Sequence, residues 1–161
     1  HKGRYEDLKI AYIGDGNNVT NSWINVAARL SLDLRMGCPE GYEPNMDLLK
    51  KAQAEGKSEI QIYNDPLEAV KDADVVYTDV WASMGQEEEA KARKKIFMPF
   101  QVNDKLIAAA DNDCLVLHCL PAHRGDEITD DVIDGPHSVV FDEAENRLHI
   151  QKAIMVRLMK K

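Results

Sequence analysis

A chain of 161 residues, 44% hydrophobic and 30% charged, has the material for one domain with a buried core and is not the composition of a disordered segment. Its formal charge of −8 repels a phosphate backbone and so disfavours nucleic acid as a partner, and no apolar run approaches the length of a membrane span. Three irregularly spaced cysteines, Cys38, Cys114 and Cys119, argue against a disulfide framework and for a reducing compartment.

The opening HKGRYEDLK is too polar for a signal peptide. It leads almost at once into a strand and lacks an initiator Met, and Lys160-Lys161 follows an apolar helix directly, as expected of a piece of a longer protein. LKIAYIG (8–14) reads as a buried strand stopped by glycine. GDGNN is a turn. Val19, Trp23, Val26, Ala27 and Leu30 then share one face of a helix. LDLRMG (32–37) is a second strand, and 38–44 a loop with two prolines. A helix starts at Asn45-Met46-Asp47, runs to about Glu55 and ends at Gly56. SEIQIYN (58–64) alternates like a third strand. Asp65-Pro66 caps a short helix, with proline in its first turn. DVVYTDV (74–80) is a fourth strand.

In QEEEAKARKKIF (86–97), Glu87–Lys91 and Glu89–Arg93 form i,i+4 pairs in the favourable order, which predicts an exposed helix with a solvated face. Residues 103–110 read as a helix and CLVLHCL (114–120) as a fifth strand. Thr129 is placed to cap a short helix ending near Gly135, and HSVVF (137–141) reads as extended. The last helix, 143–159, is apolar most of the way round and needs cover on two sides. Five alternations of strand and helix predict an α/β fold: a doubly wound, Rossmann-like parallel sheet of about five strands in the order 3-2-1-4-5, with helices on both faces. The chain 1–161 then forms one domain.

Such sheets bind ligands beyond the carboxyl ends of their strands. Three polar clusters fall there: GDGNN after strand one, DVWASMG (79–85) after strand four, and HCLPAHRG (118–125) after strand five. The first is not a dinucleotide fingerprint. Val19 stands where the third glycine belongs, and the end of strand two carries no acid. One of Asn17 and Asn18 suffices to cap the helix, which leaves the other amide for a ligand carboxylate. Asp79 suits an ammonium, although Asp79 or Ser83 as a helix cap is the plain alternative. In the third cluster, adjacent His118 and Cys119 point to opposite faces of a strand and make a poor nucleophile pair. His123 approaches Cys119 only along a path that Pro121 constrains. Cys119, His123 and His118 fall short of the about four ligands of a zinc site. Cys119 as a small buried hydrophobe, and a backbone carbonyl freed at Leu120-Pro121 with a bond of either isomer, remain open readings.

Taken together, GDGNNVTNS (14–22), DVWASMGQEEE (79–89), LHCLPAHRG (117–125) and FDEAENRLHIQKA (141–153) closely resemble the second domain of the ornithine carbamoyltransferase family, in the family's order and over most of the chain. The resemblance implies transfer of the carbamoyl group from carbamoyl phosphate to the δ-amine of ornithine, in arginine biosynthesis. It implies that the first, carbamoyl-phosphate-binding domain, with its S-T-R-T-R and H-P-x-Q motifs, is absent from this chain, so that the fragment alone is inactive.

The implied roles follow the motifs residue by residue. Asn18 holds the ornithine carboxylate and Asp79 its ammonium. Ser83 and Met84 line the same site. Cys119 lies beside the δ-amine, the Leu120 carbonyl receives the carbamoyl NH2, and Arg147 points at the carbamoyl oxygen. The reaction centre is then Cys119, Arg147 and Asp79, with no metal and no cofactor, and with His123 and Arg124 in structural roles. The family further implies a cytoplasmic homotrimer or larger assembly, without a membrane or nucleic-acid partner. A sister enzyme acting on putrescine or an acylated ornithine, and a non-catalytic amino-acid-binding module, are the alternatives.

Overall fold

A computed structural model describes residues 1–82 and 90–160. Five parallel strands form one sheet: β1 (Leu8–Ile13), β2 (Leu32–Gly37), β3 (Glu59–Tyr63), β4 (Val75–Thr78) and β5 (Leu115–His118), in the order β3-β2-β1-β4-β5. This is the order expected from the alternating pattern. The reversal lies between β1 and β4, where Ile13 pairs with Thr78, and β5 continues outward with Thr78 paired to His118.

The period-two pleat divides the core. Ile10 and Tyr12 of β1, Leu34 and Met36 of β2, and Val75 and Tyr77 of β4 face α1 (Asn18–Ala27) and α2 (Met46–Ala54), whose Ile24, Ala27, Leu49 and Ala52 they bury. Ala11, Ile13, Val76 and Val116 face the other way. There they meet α3 (Pro66–Val70), α5 (Asp104–Ile107) and α6 (Asp130–Ile133) through Ala69, Val70, Leu106, Ile107, Val132 and Ile133. Helices therefore cover both faces, and strands buried on both sides read as apolar runs for that reason.

The caps follow the residue chemistry. The side chains of Asn17, Asn45, Asp65 and Asn103 each accept from backbone N–H groups in the first turn of the helix they start. Thr129 holds the cap position of α6 but makes no side-chain cap bond, and its hydroxyl is buried without a partner.

Three expected elements differ. The extended piece at 137–141 does not form. His137 and Ser138 only brush the edge of β5, through Val116 N–H to the His137 carbonyl and a lone bridge, and helix α7 (Val140–Met159) has already begun. Asp142 and Glu143 in its first turn favour that start, because acids suit a helix N-terminus. The helix expected over 103–110 is the single turn α5. The helix expected over 86–97 is described as α4 (Ala90–Phe97), and its Glu87–Lys91 and Glu89–Arg93 pairs fall partly outside the described residues. Its face is not uniformly solvated: Arg93 is buried. Among the described residues no helix is long and apolar enough to cross a membrane.

Candidate functional site

The carboxyl ends of β1, β4 and β5 bring the three polar clusters to one crevice edge. Asp79 follows β4 directly and is 7% exposed. A carboxylate at that depth needs partners. Its Oδ1 accepts from the Cys119 thiol at 3.0 Å and from the Val80 N–H at 2.8 Å, and its Oδ2 accepts from the Asn17 amide at 2.9 Å. One acid thus ties the turns after β1 and β5 to the end of β4.

The two asparagines divide their work. The Asn17 carbonyl oxygen accepts from Val19 N–H at 2.8 Å and Thr20 N–H at 3.3 Å, so Asn17 is the helix cap as well as the Asp79 partner. Asn18 is exposed in the first turn of α1. Gly16 lets this turn sit close to the chain before α2: a Cβ there would meet the Glu43 and Pro44 backbone at 2.3 Å.

Cys119 is half-buried. Burial first, then the Asp79 hydrogen bond and charge, push its thiol up to about 12, while the nearby Tyr77 hydroxyl pulls the other way. It is therefore a thiol at neutral pH and a hydrogen-bond donor to Asp79, not a ready nucleophile. Adjacent His118 turns away from it and is fully buried. The His118 Nδ1 accepts from the Leu120 N–H at 2.9 Å, so the ring proton is on Nε2, which donates to Glu127 Oε1 at 3.1 Å. The same Glu127 oxygen accepts from the His123 N–H at 2.5 Å.

Glu127 and His118 thereby fix the backbone of the Leu120-Pro121 turn from below. The Leu120-Pro121 peptide is cis, and Leu120 has a φ of +52°. The His123 side chain is largely exposed, and Arg124 pairs on the surface with Asp130 at 2.8 Å and Asp134 at 2.6 Å. Both belong to the turn rather than to the crevice.

Asp79, His118 and Cys119 each offer a metal-ligand atom within 4.8 Å of one another. Both His118 nitrogens are already bonded, which leaves two donors, short of the about four that zinc takes.

Opposite Cys119, Leu120 and Pro121, across a crevice of about 570 Å³, stand Ala144, Arg147 and Leu148 of α7. Arg147 is exposed at its wall. The structure thus places Asp79, Cys119 and Leu120 after β4 and β5, Arg147 on the crevice that Cys119 and Leu120 line, and Asn18 apart from these contacts in the first turn of α1. Ser83 and Met84 lie outside the described residues.

Three polar groups, Glu127 and Arg93 buried and Glu143 half-buried, escape the sequence reading. Glu127 carries no local signal, since its partner His118 is nine residues away. Arg93 sits in a charge run that reads as solvent-facing. Its guanidinium pairs with Asp15, donates from Nε to the Trp81 carbonyl at 2.5 Å, and lies 4.9 and 5.0 Å from the ring centres of Tyr42 and Phe97. Glu143 accepts from the Tyr77 hydroxyl at 2.8 Å.

Comparison with known proteins places the chain in a family. Residues 6–158 match the family model described as aspartate/ornithine carbamoyltransferase, Asp/Orn binding domain. The chain is 61% identical over 160 residues to an ornithine carbamoyltransferase of Geobacter metallireducens, covering 99% of this chain and 53% of that protein. It is 59% identical over 154 residues to one of Syntrophus aciditrophicus, covering 96% and 51%. Among solved structures, the ornithine carbamoyltransferase of Pyrococcus furiosus superposes with a TM-score of 0.88 at 54% identity, over 96% of this chain and 50% of that one. The anabolic enzyme of Campylobacter jejuni superposes with a TM-score of 0.90 at 37% identity, over 96% and 52%. The chain spans about half the length of the curated relatives it matches.

Proposed function

Since the chain belongs to the aspartate/ornithine carbamoyltransferase family, we propose that it is the amine-binding domain of an enzyme that carbamoylates the δ-amine of ornithine. Carbamoyl phosphate is the donor, and citrulline and phosphate are the products. The observation that carries this reading is the buried Asp79, bonded to Asn17 and to Cys119, which lines the same crevice as Arg147.

Asp79 is placed to take the α-ammonium, and Asn18, free of the cap, to take the α-carboxylate. Ser83 and Met84 belong to the same amino-acid site by their motif. The δ-amine then lies beside Cys119. A free alkylamine has a pKa near ~10 and must shed its proton before it attacks. A partly desolvated crevice favours the neutral form. The nitrogen lone pair adds to the carbamoyl carbon, and negative charge develops on the carbonyl oxygen, where a positioned Arg147 opposes it. The Leu120 carbonyl accepts from the carbamoyl NH2 and orients the group. The carbon–oxygen bond to phosphate breaks, its electron pair leaves with phosphate, and the proton that the acylated nitrogen gives up goes to the departing phosphate. Holding the two substrates in contact supplies much of the remaining rate. In this reading the carbamoyl phosphate site is largely built by the half of the relatives' length that this chain does not span.

The test uses this chain extended to the length of its relatives. Carbamoyl phosphate is supplied with ornithine, N-acetylornithine or putrescine in turn, and the product is weighed. Citrulline from ornithine alone is the expected result. A product only from another amine moves the specificity. Ornithine binding with no product from any amine replaces catalysis with amino-acid binding alone.

A further inference from the structure

Glu143 is a half-buried carboxyl that the reaction above does not use. It stands in the first turn of α7, where Oε1 accepts from the Tyr77 hydroxyl at 2.8 Å and Oε2 is buried without a partner. Tyr77 is a rigid post. It rises from β4 two residues before Asp79, its ring stacked on Tyr12 at 6.0 Å and held edge-on by Trp23 at 5.4 Å. The helix it meets is tied to the sheet at its start, where the Val139 N–H donates to the Val116 carbonyl of β5 at 3.0 Å, and few of its own side chains add to that. Val140 is the one buried residue of α7, and the apolar side chains Leu148, Ile150, Ile154 and Met155 are exposed. The other side-chain tie of that first turn among the described residues, His1 to Asp142, joins two side chains more than half exposed and adds little hold.

Arg147 lies four residues after Glu143, hence one turn along the same face of the helix. There it lines the crevice with Cys119 and Leu120. The long arginine side chain magnifies any rotation of the helix, so its tip is only as well placed as the first turn. We propose that Tyr77 and Glu143 are positioning residues: the hydrogen bond between them sets the rotation and height of α7 on the sheet and so holds Arg147 over Cys119 and Leu120. This rests on the reading that Arg147 contacts the carbamoyl oxygen. The Glu143 carboxyl is pushed up by burial, and the Tyr77 hydroxyl, His118 and Arg147 pull it back.

The experiment measures kcat and KM for ornithine in the full-length protein. Tyr77→Phe and Glu143→Leu are each expected to lower kcat about tenfold, the order set by one charge-assisted hydrogen bond. KM for ornithine should stay within about twofold, since Asn18 and Asp79 are untouched. Glu143→Gln, which keeps an acceptor for Tyr77, should retain most of the activity. In an Arg147→Gln background, Tyr77→Phe should cost nothing further, because the group it positions is gone. A normal kcat in Tyr77→Phe and Glu143→Leu, or an undiminished loss from Tyr77→Phe without Arg147, overturns the positioning role. If Arg147→Gln itself leaves kcat unchanged, the assignment of Arg147 to the reaction fails first, and the two failures are thereby distinguished.

Discussion

Arg93 gives the sharpest test of how the crevice edge is held. Its guanidinium is 8% exposed and meets four groups from three separate loops and its own helix: Asp15, the Trp81 carbonyl, and the rings of Tyr42 and Phe97. Replacing it by Met removes the charge but keeps much of the volume. Asp15 then keeps its burial without its cation. Removing one partner of a buried ion pair costs about 3–5 kcal/mol, most of it the stranded charge.

The pH dependence has a definite sign. Burial raises the Asp15 carboxyl above its usual range, and Arg93 is the main influence pulling it down. Without Arg93 it rises further. A group with a raised folded pKa contributes stability below its unfolded value, and that stability is lost as pH rises through the folded value. The loss in Arg93→Met should therefore be largest near pH 7 and shrink as pH falls toward the ordinary carboxylate range. Urea unfolding followed by tryptophan fluorescence measures it at both ends, Trp81 being stacked 6.0 Å from Phe97 in the same cluster. Asp15→Asn added to Arg93→Met should recover part of the loss. A cost below about 1 kcal/mol at pH 7, or one that does not change with pH, refutes the idea that this pair fastens the edge.

Further outcomes follow from the same geometry. Asp79→Asn, in the full-length protein, should weaken ornithine binding by about 100-fold while leaving carbamoyl phosphate binding nearly intact, as calorimetry would read; equal loss of both contradicts the proposed assignment. With its thiol near 12, Cys119 should alkylate far more slowly at pH 8 than an ordinary cysteine, and Asp79→Asn should speed it by removing the opposing charge. Mass-mapped iodoacetamide labelling decides this, and fast labelling of the unsubstituted protein would exclude the Asp79–Cys119 bond. Glu127→Leu strips the acceptor from His118 and from the His123 N–H, and should cost about 3 kcal/mol or more in thermal unfolding. Gly16→Ala drives a Cβ into the Glu43–Pro44 backbone and should cost about 1–3 kcal/mol; a silent substitution would mean that the two loops are not in contact.

The sheet was legible before the structure because strands buried on both faces leave an apolar signature of about five residues each, broken by glycine, proline and asparagine. Its order followed from the alternation of strand and helix. The crevice was legible in part. Asp79, Cys119 and Leu120 stand in short strings that follow a strand, Asn18 opens α1, and Arg147 stands in a string inside α7. The misreadings share one cause, the confusion of local pattern with environment. The charge run that contains Arg93 has the i,i+4 spacing of a solvated helix, yet the turn after β1 and the rings of Tyr42 and Phe97 close over it. HSVVF has strand residues, yet no strand lies free beside β5 for more than one bridge, and the acids at 142 and 143 start a helix instead.

By itself, then, the sequence determined the elements, the topology and the polar strings at the strand ends, since each of these is written in residues close together in the chain. Tertiary structure alone decided which acid faces which partner. Asp79 meets Cys119 from 40 residues away and Asn17 from 62, and Tyr77 meets Glu143 from 66. A buried carboxylate is specified by whatever reaches it through space, and the folding of separate loops onto one sheet edge supplies those neighbours without any pattern along the chain.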